Sequence, residues 1–217
     1  MFSKLQYISQ GLTQKEQVNN IKSVLDAGVD WIQLRFKNAD ENTLTKTSEI
    51  IKKLSDHYTF TFIINDHPFI AKKVNADGVH LGLEDVEIAT ARNIIGDHKI
   101  IGGTANTIHH VLNRIAEGAN YIGLGPYRFT TTKEKLSPVL GLGGYQGIMQ
   151  VLHENKVKVP VYGIGGLLKE DLFELMNSGV YGIAVSGMLT NEKNKSELIT
   201  QLKNILNGKT DHIGKGI

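Results

Sequence analysis

The chain has 217 residues and no cysteine, which excludes disulfides, thiolate nucleophiles, iron–sulfur clusters and cysteine-ligated zinc. Lys and Arg number 24 and Asp and Glu 22, a net charge of +2 that gives no reason to expect nucleic acid or a membrane surface as partner. No apolar run approaches the roughly eighteen residues of a membrane span, and Met1-Phe2-Ser3-Lys4 does not open a secretory leader, so the cytoplasm is the expected location.

Taken in chain order, eight short apolar runs read as strands: Leu5–Ser9, Trp31–Arg35, Thr61–Asn65, Val79–Gly82, Ile100–Thr104, Tyr121–Gly125, Val159–Gly163 and Gly182–Ser186. A short apolar run bounded by turn residues is the pattern of a parallel strand buried on both faces. The first helix is expected near Thr13, with Thr13 as cap and Glu16 three residues on, a capping-box pattern. Later helices show apolar residues at helical spacing, such as Ile108, Val111, Leu112 and Ile115, or Leu198, Leu202, Ile205 and Leu206. A weak phrase recurs before the strands: Asp26-Ala27-Gly28-Val29-Asp30, Asn75-Ala76-Asp77-Gly78-Val79, Glu117-Gly118-Ala119-Asn120 and Asn177-Ser178-Gly179-Val180. Each reads as a helix stopped at Gly, then a strand.

Eight alternating units predict an α/β fold, a single-domain (β/α)8 TIM barrel over residues 1–209, with a frayed tail over 210–217. The doubly wound open sheet is the competing arrangement. It is disfavoured because the count is eight and no Gly-x-Gly-x-x-Gly follows the first strand. Pro126–Gly144, between the sixth and seventh strands, is too long for a plain loop and reads as a functional flap.

In a barrel, chemistry gathers where the strands end. Strand two ends in Gln33-Leu34-Arg35-Phe36-Lys37, strand three in Asn65-Asp66, and strand four runs on to Asp85. Strand five ends at Thr104, strand six leads to Thr130-Thr131-Thr132-Lys133, strand seven to Gly165-Gly166 and strand eight to Val185-Ser186-Gly187. Arg35 and Lys37 lie two apart on one extended face, and with Lys133 they could surround one anion. Each alone reads equally as a solvated loop charge. Asp66 and Asp85 follow consecutive strands and could share Mg2+, although Asp85 also suits a helix N-cap and Asp66-His67-Pro68 a helix start. The glycine pair and Ser186 occupy the usual phosphate corner of barrels, where a tight turn would also need glycine. His80, within strand four, reads as a satisfied core histidine, and the adjacent His109 and His110 point apart on one helix.

These segments resemble thiamine-phosphate synthase, a family whose members carry Q-L-R-x-K, matched by Gln33–Lys37, and N-D, matched by Asn65-Asp66. The family's D-G-V-H-[LV]-G-x-x-D segment is matched by Asp77–Asp85 and its G-P-x-x-x-T-x-T-K by Gly125–Lys133, followed by a glycine pair and a V-S step. The resemblance spans nearly the whole chain in order. It implies the barrel fold and an Mg2+-dependent transferase that couples two phosphorylated small molecules. These are 4-amino-2-methyl-5-(diphosphomethyl)pyrimidine and 4-methyl-5-(2-phosphoethyl)thiazole or its carboxylated form, and the products are thiamine phosphate and pyrophosphate. It implies that Gln33, Arg35, Lys37, Asn65, Thr104 and Lys133 hold the pyrimidine diphosphate. By the same resemblance Asp66 and Asp85 hold the metal, and Thr130, Thr131, Thr132, Gly166, Val185 and Ser186 hold the thiazole phosphate. Arg35, Lys37 and Lys133 then stabilise the departing pyrophosphate. Leu83 stands where many members have Gln, and Thr104 where many have Ser. No nucleic acid or membrane partner is implied, and a homo-oligomer is left open. A thiazole tautomerase-like barrel or a catalytically silent phosphate-binding barrel remain as alternatives. Asp66, Asp85 and Lys133 speak against the tautomerase. A sugar-phosphate isomerase would need a rim base, for which Glu84 has no evident helper.

Overall fold

The computed structural model describes residues 2–129 and 138–209. Its eight strands are β1 (Leu5–Ile8), β2 (Trp31–Leu34), β3 (Thr61–Asn65), β4 (Gly78–Leu81), β5 (Ile100–Ala105), β6 (Tyr121–Leu124), β7 (Val161–Ile164) and β8 (Gly182–Val185). Each pairs in parallel with the next, and β1 closes on β8, so the sheet is a barrel rather than an open sheet. The helices outside it are α1 (Gln14–Asp26), α2 (Glu41–Lys53), α3 (Pro68–Lys73), α4 (Ile88–Ile95), α5 (Ile108–Ala116), α6 (Gly141–Glu154), α7 (Leu172–Asn177), α8 (Gly187–Thr190) and α9 (Lys195–Leu206).

Local chemistry explains the boundaries. Thr13 Oγ1 accepts the Glu16 N–H at 3.2 Å while Glu16 Oε2 accepts the Thr13 N–H at 3.1 Å, the expected capping box at the start of α1. The recurring phrase works by φ: Gly28, Gly118 and Gly179 sit at φ 95°, 91° and 97°, a region that costs an L side chain energy. The second copy differs. There Asn75 takes the left-handed turn at φ 51°, and Gly78 lies in β4, where a Cβ would fall 2.0 Å from the Ile100 carbonyl oxygen. Two boundaries depart from expectation. β7 begins at Val161, not Val159, because Pro160 has no N–H to give a ladder. The flap is shorter than Pro126–Gly144, since α6 already begins at Gly141. Residues 130–137 within it, and the tail 210–217, lie outside the described residues.

The barrel interior is layered by the two-residue period of the strands. Trp31, Ile63, Tyr121 and Tyr162 form an aromatic floor that is at most 1% exposed, with Phe2 and Tyr181 packed against it. Ring centroids of Trp31 lie 5.0 Å from Tyr121 and 5.1 Å from Tyr162, both edge-on, the favourable arrangement for aromatic pairs. Two residues further along β2 and β3 come Gln33 and Asn65. The apolar floor and the polar mouth are thus consecutive turns of the same pleat. A second, larger core of aliphatic side chains, including Ile32, Ile64, Val79, Ile122 and Ile183, fills the space between sheet and helices.

Candidate active site

At the β2–β4 edge of the mouth, Gln33 is buried and its Nε2 donates to Asn65 Oδ1 at 2.7 Å. Its own Oε1 is buried with no partner among the described residues, an unmet acceptor whose burial is costly unless a ligand supplies the donor. Asp66 follows at φ 65°. Its N–H donates to the His80 carbonyl at 2.8 Å. Asp66 and Asp85 are in hydrogen-bond contact, and Lys37 and Arg35 lie close enough to act on Asp66. Burial, then the bond to Asp85 and its charge, push the Asp66 carboxyl up to about 7, against the opposing pull of Lys37 and Arg35. A cavity of about 150 Å³ opens here, lined by Phe36, Lys37, Leu44, Asn65, Asp66 and His67.

The competing roles weighed for these carboxylates resolve differently. Asp85 caps no helix, for α4 is preceded by Glu87; instead Asp85 Oδ2 accepts the Gly82 N–H at 2.6 Å. The Gly82 carbonyl in turn accepts from buried Arg114 at 2.7 Å, so this loop is held from both ends. Asp66 does precede a helix, α3, which has His67 at its cap and Pro68 at its first position. Leu83 is 37% exposed beside the pair.

Thr104, at the end of β5, is tied to the floor. Its Oγ1 lies 3.0 Å from His80 Nε2, His80 Nδ1 lies 3.0 Å from the Tyr121 hydroxyl, and that hydroxyl accepts from Gln6 at 3.2 Å. His80 is therefore buried and satisfied, and it also touches a candidate site residue.

The β6–β8 edge is built from backbone. Gly165 and Gly166 stand at φ 88° and 69°. Val185 is buried, and the Ser186 Oγ beside it is buried with no partner among the described residues. Thr130, Thr131, Thr132 and Lys133, expected between the two edges, lie outside the described residues. The structure thus brings Arg35, Lys37, Asp66 and Asp85 together and links Gln33 to Asn65. Gly166, Val185 and Ser186 are gathered at the opposite edge. Two features had no signal in the sequence. The Arg114 bond to loop four spans 32 residues, and Arg128 pairs with Asp171 across 43. A larger groove of about 490 Å³ lies outside the barrel between α6 and α7 and shares no residue with the mouth.

A closed parallel barrel with Gln33, Asn65, Asp66 and Thr104 at or just past the ends of its strands is the architecture of barrel enzymes. A model of the family described as thiamine monophosphate synthase matches residues 6–189. The thiamine-phosphate synthase of Flavobacterium psychrophilum is 56% identical over 202 residues, covering 93% of this chain and 98% of that one. That of Phocaeicola vulgatus is 41% identical over 204 residues, covering 94% and 97%. Among solved structures, thiamine phosphate pyrophosphorylase from Pyrococcus furiosus superposes with a TM-score of 0.81 at 30% identity, covering 97% of both chains. A 3-hexulose-6-phosphate synthase, at 17% identity and a TM-score of 0.69, shares the fold alone. The chain belongs to the thiamine monophosphate synthase family. No helix among the described residues is long and apolar enough to cross a membrane.

Proposed function

We propose that this chain performs the reaction of its family at the barrel mouth, joining the pyrimidine methylene to the thiazole nitrogen with release of pyrophosphate. The observation that carries the reading is the Asp66–Asp85 pair beside Arg35 and Lys37. Two carboxylates in contact, one of them driven to keep its proton, are a site short of positive charge. Among the described residues no third acidic or histidine side chain joins them, and this fits Mg2+, which takes one or two protein carboxylates and leaves its other positions to water and substrate phosphate. Asp66 and Asp85 would hold the ion, which would supply positive charge to the pyrophosphate oxygens.

The residues of the chain do the rest. Gln33, Asn65 and Thr104 orient the pyrimidine end. The Gln33 Oε1 needs a donor, which an exocyclic amine provides. As the methylene C–O bond breaks, its electron pair passes to the pyrophosphate oxygen, and Arg35 and Lys37, with Lys133 by the family pattern, would meet that charge, typically the largest catalytic term. The carbon left behind is a pyrimidine-stabilised cation. The thiazole nitrogen lone pair then forms the C–N bond, giving the thiazolium of thiamine phosphate. No covalent intermediate with the protein is needed. Gly166, Val185 and Ser186, with Thr130, Thr131 and Thr132, would hold the thiazole by its phosphate, so that the nucleophile is already aligned. With charged substrates that do not cross membranes unaided, the cytoplasm is the natural place for this work.

Mixing both phosphorylated substrates with and without Mg2+ and following pyrophosphate release tests the reading. Release that needs both substrates and the metal is expected. Binding of both without release would instead describe a silent barrel.

A further inference from the structure

After β6 the chain continues through Pro126, Tyr127 and Arg128 along the end of β7. The Tyr127 N–H donates to the Ile164 carbonyl at 2.9 Å and the Arg128 N–H to the Gly165 carbonyl at 3.0 Å. The Arg128 side chain then turns back, and its Nη1 donates to the Gly166 carbonyl at 3.0 Å. Three successive carbonyls therefore point to the β6 side. In a strand they would alternate; the positive φ of Gly165 and Gly166 is what breaks the alternation. In a trans peptide the N–H points opposite to its carbonyl. The N–H groups of Gly165, Gly166 and Leu167 are accordingly all turned away from β6, to the side of β8. No described residue accepts those of Gly166 or Leu167. Successive N–H groups presented in this way form a concave anion site, and the buried, unpartnered Ser186 Oγ lies at the β8 end it faces.

What holds this conformation is an ion pair. Asp171, just before α7, accepts from Arg128 Nη1 at 2.6 Å and from Nη2 at 2.9 Å, a two-pronged contact. The same carboxylate accepts the Leu168 N–H at 2.7 Å, so the two ends of the 165–168 turn are held by the two partners of one ion pair, Arg128 at Gly165 and Gly166 and Asp171 at Leu168. The Asp171 side chain is 10% exposed. A Cβ on Gly166 would lie 2.5 Å from Arg128 Cγ and 2.9 Å from the Arg128 carbonyl oxygen. The guanidinium stem thus occupies the space that a side chain at 166 would need.

We propose that Arg128 and Asp171 are positioning residues for the second substrate: their ion pair sets the peptide planes of Gly165–Leu167 so that the N–H groups receive the phosphate of the thiazole. The inference rests on the phosphate corner assigned above and concerns residues that never touch the ligand.

The test compares wild type with Arg128→Lys, which keeps the charge but loses the fork, with Asp171→Asn, and with the double variant. Steady-state KM is measured for each substrate, and binding of 4-methyl-5-(2-phosphoethyl)thiazole is measured by calorimetry without its partner. The expected result is a rise of about tenfold in KM and Kd for the thiazole phosphate, with KM for the pyrimidine diphosphate unchanged within about twofold. The double variant should be no worse than the poorer single, because the two residues act as one unit. A parallel change in both KM values that tracks a lowered melting temperature would show a merely structural role and overturn the proposal. Ser186→Ala separates the two readings. If it abolishes thiazole phosphate binding while Arg128→Lys and Asp171→Asn retain it, the corner stands and the ion pair has no part in it. If Ser186→Ala leaves binding unchanged, the corner is misassigned and the proposal falls with it.

Discussion

On the proposed assignment, the two edges of the barrel mouth hold an anion by different means. At β2–β4 the groups proposed to meet the ligand are side chains: Gln33, Arg35, Lys37, Asn65, Asp66 and Asp85, each issuing from a strand end or the loop after it. At β6–β8 they are backbone N–H groups and one hydroxyl, with the charged side chains, Arg128 and Asp171, set behind the peptide they orient. In the proposed reaction, full charges face the edge where charge would change. Fixed dipoles face the edge where, on the same proposal, a phosphate would only be held. The difference implies that single substitutions at the first edge strike the rate, while those at the second strike affinity for one substrate.

The sharpest way to break this contrast is at the carboxylates. Asp66→Asn or Arg35→Ala should lower kcat by about 10²–10³, as expected for loss of one preorganised charge, read from pyrophosphate release. Asp66→Asn should also raise the melting temperature at pH 8 in metal-free buffer. The sign follows from the pKa: a carboxyl raised from 3.8 to about 7 by burial and by Asp85 binds its proton more tightly folded than unfolded. Ionising it therefore destabilises the fold increasingly from about pH 4 to pH 7, a cost on the order of 1 kcal/mol or more that persists above that range. A lowered melting temperature would mean that the pair is not repulsive.

Gly166→Ala is next in size. Its φ of 69° and the nearby Arg128 carbonyl oxygen predict a loss of about 1–3 kcal/mol of stability by thermal or urea unfolding and weaker thiazole phosphate binding, with little change in KM for the pyrimidine diphosphate. A KM effect on the pyrimidine substrate alone would reverse the assignment of the edges.

A smaller effect sharpens the comparison through pH. Burial pushes Asp171 up, but the bonds from Arg128 and from the Leu168 N–H outweigh it and hold the carboxyl below 3.8. Its contribution is present above the unfolded value and is lost as pH falls through the folded one. The gap in melting temperature between wild type and Asp171→Asn should therefore be open at pH 7 and shrink below about pH 3.8. A gap unchanged at pH 3 would place the effect outside the ion pair. As a control far from both edges, Thr13→Ala should cost about 1 kcal/mol by loss of the α1 cap and leave both KM values alone.

How much of this could be read from the sequence depended on how local the information was. Strand ends were legible because their residues are contiguous: Gln33 to Lys37 and Asn65-Asp66 carry both the strand and what it presents. The barrel was legible because eight short apolar runs alternate with helical stretches, four of them announced by the same stop-and-start phrase. The Arg128–Asp171 pair was not, since nothing local to either residue distinguishes it from a solvated charge, and the two meet only when β6 and β7 are neighbours. The glycine pair was legible as a turn, but not that Arg128 fills the space beside Gly166. Asp85 was ambiguous in sequence because an Asp before a helical stretch suits a cap; the Gly82 N–H claims it instead.

The aromatic floor has a consequence for traffic. With Trp31, Tyr121 and Tyr162 filling one end and Phe2 packed beneath, that end of the barrel is shut to ligands. Any molecule that reaches Gln33 and Asn65 arrives from the side of the strand C-terminal ends. Four side chains with no place in the proposed chemistry thereby set the face on which both substrates would meet.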